Sequence, residues 1–243
     1  MALLSAVALG IGLTAIVFVQ PRWLIDSFAS RAPGVLYYVE TEAPVVALTI
    51  DDGPDRQTTQ EILDVLGKYE ASATFFLIGD RIEGNEDLVS EIVRAGHELG
   101  NHMTRDEPSF RLSLDEFEEN LREADSVLSR FAQPSWLRPG SGWYNRPMLE
   151  VARSHGYRLA LGSVYPYDAQ IPLSPFAASL ILRRLRPGSI IILHDGGGRG
   201  RRTAATLRTI LPELGRRGYR VITLSELVRS TANPAKPDLG GAG

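Results

Sequence analysis

Val45-Val46-Ala47-Leu48-Thr49-Ile50-Asp51-Asp52-Gly53-Pro54 is the stretch that decides the fold. Its first six residues are apolar or β-branched, with no polar face, which is the pattern of a strand buried on both sides. Two carboxylates and a Gly-Pro turn end it. Residues 58–69 follow with Ile62, Leu63, Val65 and Leu66 at helical spacing, and residues 73–78 repeat the buried-strand pattern. Outward from there the alternation continues, with helices predicted over 87–95, 113–131, 146–155, 174–185 and 203–217. Strands are predicted over 135–138, 158–162, 189–193 and 219–224. Ser113 with Glu116 three residues on predicts a capping box at the start of one helix. Strands separated by helices imply βαβ units, hence an α/β fold with a parallel sheet. In a closed α/β barrel the reacting groups gather at the C-terminal ends of the strands. Asp51-Asp52, Arg138 and His194-Asp195 all fall at such ends.

The bulk numbers narrow the chemistry. A chain of 243 residues has room for one α/β domain. A net charge of −3 gives no basic footprint for nucleic acid. With no cysteine there are no disulfides, no thiolate metal site and no cysteine nucleophile, so any metal must be held by His, Asp or Glu.

Residues 2–19 form an almost unbroken apolar run, about the length that crosses a bilayer. An uncleaved membrane anchor, a signal peptide and a buried helix of the domain all compete for it. No Lys or Arg precedes the run, which disfavours the signal peptide. Arg22 follows it, and the positive-inside rule would keep that side in the cytoplasm. The anchor is the preferred reading. We therefore expect a hydrophobic segment over 1–20, a connector over 21–43, a catalytic domain over 44–230 and a disordered tail, rich in Pro, Gly and Ala, over 231–243.

Three clusters carry chemistry. Asp51-Asp52 places two like charges side by side at a strand end, where a cation or a proton is needed to tolerate them. The segment from Gly96 to Asp106 contains His97, His102 and Asp106. On a helical turn His102 and Asp106, four apart, would share a face and grip one metal ion. His97 is expected to be structural, and Glu107 a helix-start acid. The third cluster, Leu193-His194-Asp195 before three glycines, delivers a histidine suited to proton transfer. The glycine run lacks the GxxxxGK[ST] order of a phosphate loop. Arg199, Arg201 and Arg202 are expected to form a solvated loop, with an acidic substrate as the alternative.

Taken together, these clusters resemble the polysaccharide deacetylase family, the NodB homology domain of carbohydrate esterase family four, from about residue 45 to about residue 227. The resemblance implies a distorted (β/α) barrel, here preceded by an N-terminal hydrophobic helix, and a divalent metal. Thr49-Ile50-Asp51-Asp52-Gly53-Pro54 matches the family's TFDDGP motif and implies Asp51 as catalytic base and Asp52 as metal ligand. His102 matches the first histidine of the next motif. Asp106 stands where the second histidine is usual, which would make the site more anionic. Zn²⁺ is the expected metal, with Mn²⁺, Co²⁺, Fe²⁺ or Mg²⁺ brought into range by that carboxylate. Arg138-Pro139-Gly140-Ser141-Gly142-Trp143 resembles the RPPYG segment; Arg138 would orient Asp51, Ser141 would offer a backbone N–H to an oxyanion, and Trp143 would wall a sugar groove or pack in the core. Asp168 is a loose counterpart of the Asp that tunes the catalytic histidine, and His194 matches the general acid. Asp195 is expected to order its loop.

The implied activity is metal-dependent removal of N-acetyl groups from a glycan containing N-acetylglucosamine, with release of acetate. Hydrolysis of other carbon–nitrogen amide bonds on the same scaffold is one alternative. An inactive carbohydrate-binding relative is another. A glycan substrate implies a membrane-anchored protein or one exported to the cell envelope, whereas a small-amide substrate would suit the cytoplasm.

Overall fold

A computed structural model describes residues 20–232 of the chain. The apolar run at 2–19 and residues 233–243 of the tail expected over 231–243 lie outside the described residues; residues 231–232 instead belong to the last helix. Among the described residues no helix is long and apolar enough to cross a membrane.

The decisive stretch is strand β2 (Val45–Gly53), and all nine of its residues are buried. Its two faces belong to different layers. Val46, Leu48 and Ile50 pack with Ile62 and Leu66 of helix α2 (Thr59–Lys68) and with Leu207 and Ile210 of helix α7 (Gly197–Arg216). Val45 and Ala47 face Phe76, Trp136, Ile190 and Leu227. Burial on both faces is why the stretch lacks a polar alternation.

Strands β3 (Thr74–Leu77), β4 (Glu98–Asn101), β5 (Trp136–Leu137), β6 (Arg158–Ala160) and β1 (Val35–Leu36) lie in that order on one side of β2; β7 (Ile190–His194) flanks it on the other, and every pairing is parallel. Strand β8 (Arg220–Ile222) pairs with the first residues of β2. The named strands do not close into a barrel. Isolated bridges, Tyr38 to Ser189 and Val164 to Ile191, are what span the remaining gap. Helices α3 (Glu86–Arg94), α4 (Leu114–Leu128), α5 (Arg146–Ser154), α6 (Ser174–Arg184) and α8 (Leu224–Ala232) complete the fold. The capping box is present: Ser113 Oγ accepts the Glu116 N–H and Glu116 Oε2 accepts the Ser113 N–H.

Two segments differ from the sequence expectation. The stretch expected as a connector over 21–43 is folded onto the domain. It forms helix α1 (Arg22–Arg31) and β1, whose Val35 pairs with Leu159, and Val35 and Tyr37 are buried in a core cluster with Leu137 and Leu159. Helix α7 begins at Gly197 rather than near residue 203. The buried Asp195 carboxylate accepts from Thr58 Oγ1 (2.5 Å) and Thr59 Oγ1, and Asp55 Oδ2 accepts the Gly197 N–H at the helix start (3.1 Å). An acid at the first turn satisfies an otherwise orphaned donor and complements the helix dipole. Asp195 thus orders its loop, as expected.

Gly200 sits against that network. A Cβ there would lie 2.3 Å from Thr58 Oγ1 and 2.4 Å from both Asp195 Oδ1 and Thr58 Cβ. Helix propensity alone favours alanine over glycine by about 1 kcal/mol. We expect the opposite sign here: Gly200→Ala should destabilise by about 1–3 kcal/mol through overpacking, measured by urea denaturation. An unchanged or raised midpoint would contradict this packing.

Candidate active site

Successive side chains of a regular strand point to opposite faces, so Asp51 and Asp52 ought not to share a cavity. They do, because β2 is irregular at that place. The β2–β3 register shifts between Asp51 and Gly53, and Asp52 has φ +69°. A left-handed backbone at a non-glycine residue is uncommon, and such positions gather at functional sites. Met103 (φ +67°), Ser141 (φ +58°) and Tyr167 (φ +59°) lie near the same strand ends.

The cavity they surround holds about 500 Å³ and is lined by Asp51, Asp52, His102, Arg138, Ser141 and His194, among others. Arg138, fully buried after β5, donates to Asp51 Oδ1 at 2.5 Å. It also donates to Thr49 Oγ1 (2.8 Å), Ala160 O (2.9 Å) and Leu161 O (3.2 Å), and its guanidinium lies over the Phe76 ring. A planar fork bonded through all three of its nitrogens fixes the carboxylate it holds.

The two cavity histidines are wired in opposite senses. Nδ1–H of His102 donates to Arg138 O at 2.6 Å, which turns Nε2 to Asp52 Oδ1 at 3.3 Å. Nδ1 of His194 instead faces both Asp168 oxygens at 3.0 Å, and Asp168 Oδ2 also accepts the His194 backbone N–H at 2.9 Å. Burial pushes the His194 pKa down, but the bond and charge of Asp168, with Asp51 and Asp52 nearby, outweigh it and raise it above the ordinary imidazole value. Burial likewise opposes ionisation of Asp52. Here the bond to His102 and the charges of His102, His194 and Arg199 outweigh burial and hold the carboxyl well below the usual carboxylate range. His97 is remote from this chemistry. It accepts the Ala73 N–H at 3.3 Å, and burial lowers its pKa to about 4, so it is neutral and structural.

The donor set at Asp52 and His102 suits a divalent cation: a buried carboxylate beside an imidazole whose far nitrogen is tied to a carbonyl, the arrangement that orients a ligating histidine. Asp106 is not brought to them. Residues 102–106 do not form a helical turn, and the left-handed Met103 breaks the spacing that would have put His102 and Asp106 on one face. Although Asp106 lines the cavity, Arg81 takes its carboxylate at 2.6 Å, and among the described residues no three His, Asp or Glu side chains converge on a single point. Trp143 is displaced as well: it is half exposed, and neither lines the cavity nor joins the core.

The sequence reading missed two residues. Arg81 lies in the loop after β3, donating to Asp52 O as well as to Asp106, and Arg199, assigned to a solvated loop, pairs with Asp52 Oδ2 at 2.8 Å. The position of Arg81 just after a strand end was a usable signal.

Known proteins share this arrangement of sequence. The polysaccharide deacetylase profile matches residues 38–160. A peptidoglycan-N-acetylglucosamine deacetylase of Bacillus cereus is 36% identical over 199 residues, 79% of this chain and 93% of that protein. The chain belongs to the polysaccharide deacetylase family. It is accordingly a hydrolase with deacetylase activity. Its parallel-sheet fold matches the crystal structure of a peptidoglycan N-acetylglucosamine deacetylase with a TM-score of 0.76 at 29% identity, covering 80% of this chain and 92% of that one. A family 4 acetyl xylan esterase from Clostridium thermocellum, solved with a cobalt ion, superimposes with a TM-score of 0.71 at 30% identity over 79% of this chain and 93% of that one.

The His194–Asp168 pair makes a pH prediction. A raised histidine pKa keeps the imidazolium present above the ordinary value of about 6.5 and loses it as pH rises through the folded pKa. Asp168→Asn removes the negative charge, so the basic limb of the rate–pH profile should move to lower pH. A basic limb that stays in place would detach that limb from His194.

Proposed function

We propose that the catalytic domain, expected over residues 44–230 and extended by the folded segment 22–43, removes N-acetyl groups from a glycan containing N-acetylglucosamine, by metal-assisted hydrolysis, releasing acetate and a free amino sugar. The observation that carries this reading is the placement of two separately anchored proton-transfer groups, Asp51 on Arg138 and His194 on Asp168, around one cavity with Asp52 and His102. The relative from Bacillus cereus supports the choice of a peptidoglycan-type substrate.

Asp52 and His102 would hold the divalent metal, of which Zn²⁺ is the first choice on its ligand chemistry. When bound, such an ion acidifies water and polarises a carbonyl. The protein's own residues do the rest. Asp51, oriented by Arg138, takes the proton from the attacking water. Ser141, on the cavity wall, offers its backbone N–H to the oxyanion of the tetrahedral intermediate. His194 gives its proton to the leaving amine, and Asp168 stabilises the imidazolium until that transfer. Protonating the amine matters because an amide anion is too poor a leaving group to depart from neutral water.

A substrate of this class lies outside the cytoplasmic membrane, so we place the domain in the envelope, anchored or exported, and let the substrate override the orientation that Arg22 alone would set. The test is acetate release from N-acetylglucosamine oligomers and from peptidoglycan. Asp51→Asn and His194→Ala should each lower kcat by roughly 10² to 10⁴. Full activity in both variants would overturn these roles. Glycan binding without acetate release, in the presence of added metal, would return the chain to the binding-only reading.

A further inference from the structure

Arg199 is the feature of the site that hydrolysis leaves unexplained. It stands in the first turn of α7, directly after Gly196-Gly197-Gly198, and projects from a helix start that Asp55 and Asp195 hold in place. Its guanidinium reaches Asp52 Oδ2 at 2.8 Å, while Oδ1 of the same carboxylate faces His102 Nε2 at 3.3 Å. The Arg199 side chain is 35% exposed and that of Asp52 only 7%, so the pair straddles the mouth of the cavity with the acid inside. Arg81 binds the backbone carbonyl of Asp52 and the Asp106 carboxylate. Asp51, Asp52 and Asp106 therefore each have a guanidinium partner drawn from a different loop.

We propose that Arg199 is a built-in counter-cation that competes with the divalent metal for Asp52, so that the enzyme loads metal weakly and only as Arg199 gives up this carboxylate. The inference rests on the reading that Asp52 and His102 form the metal site. Its physical basis is simple. A divalent ion ligated by a carboxylate oxygen sits about 2.0–2.2 Å from it. A guanidinium 2.8 Å from that same carboxylate is then a like charge at close range, poorly screened because the acid is buried. Arg199 is long, partly exposed and mounted beside glycines, so its head can turn to water with little loss of packing. The cost of loading is the broken ion pair.

Titration of the full-length protein with Co²⁺ tests this, read by calorimetry and by the visible absorption of bound Co²⁺. Arg199→Gln removes the charge and should tighten Co²⁺ binding by ~10-fold or more, each tenfold being about 1.4 kcal/mol. Arg199→Lys keeps the charge and should stay close to the unaltered protein, which separates charge from bulk. His102→Ala should abolish the tight binding of the Arg199→Gln background, placing the ion at Asp52 and His102. If Arg199→Gln binds Co²⁺ no more tightly than the parent, Arg199 is no competitor, while the metal site itself stands. If neither protein binds Co²⁺ although both are folded by circular dichroism, the metal reading falls and the competition with it.

Discussion

Two adjacent buried carboxylates are the constraint around which the site is arranged. Asp51 and Asp52 are 3% and 5% exposed, and moving an ionised carboxyl out of water is costly unless charge and hydrogen bonds replace the solvent. The fold supplies both. Arg138 reaches Asp51 from the end of β5, His102 reaches Asp52 from the end of β4, and Arg199 arrives from the helix after β7. These groups converge because β4, β5 and β7 run parallel to β2, which brings all their C-terminal ends to one edge. An antiparallel neighbour would have brought its starting residues there instead. The register shift at Asp51 then turns the second carboxylate into the cavity, at the expense of a left-handed residue.

The same edge separates two histidines by their partners rather than by their intrinsic chemistry. For His102 the carboxylate meets Nε2 and a carbonyl takes Nδ1; for His194 the carboxylate meets Nδ1. The first turns Nε2 toward Asp52 with the far nitrogen tied to a carbonyl, which is the arrangement that orients a ligating histidine. The second tethers the far side of the ring and leaves Nε2 for a substrate, the arrangement of a proton donor. Environments that give like residues different partners are how one site divides acid, base and ligand work.

Much of this was legible in the sequence where a residue's role depends on its own segment. The buried run of β2 announced a two-faced strand, Ser113 and Glu116 announced a cap, and the polar residues after strands announced the edge on which the cavity lies. What sequence spacing could not carry was direction. His102 and Asp106 are four apart, yet Met103 is left-handed, so the side chains part and Asp106 goes to Arg81. Trp143 sits in the right motif but follows Gly142 at φ +65°, and it emerges half exposed. The early start of α7 depends on Thr58, Thr59 and Asp55, more than a hundred residues away, which no local pattern contains. Residues 22–36 were underestimated for the same reason: β1 exists only because β6 offers it an edge.

Arg81 answers the charge of Asp106. The motif resemblance implies a histidine at that position, and a histidine adds no negative charge to the cavity. An aspartate does, joining Asp51, Asp52 and Glu107 around one opening, of which Arg138 holds Asp51. Arg81, after β3, reaches Asp106, and Arg199, in the first turn of the helix after β7, reaches Asp52. Such a site is balanced before any metal arrives. On the proposed metal site, loading a divalent ion would depend on how readily Arg199 gives up Asp52 as well as on the grip of Asp52 and His102. Affinity would then be tuned by Arg199, a residue outside the motifs that carry the family resemblance.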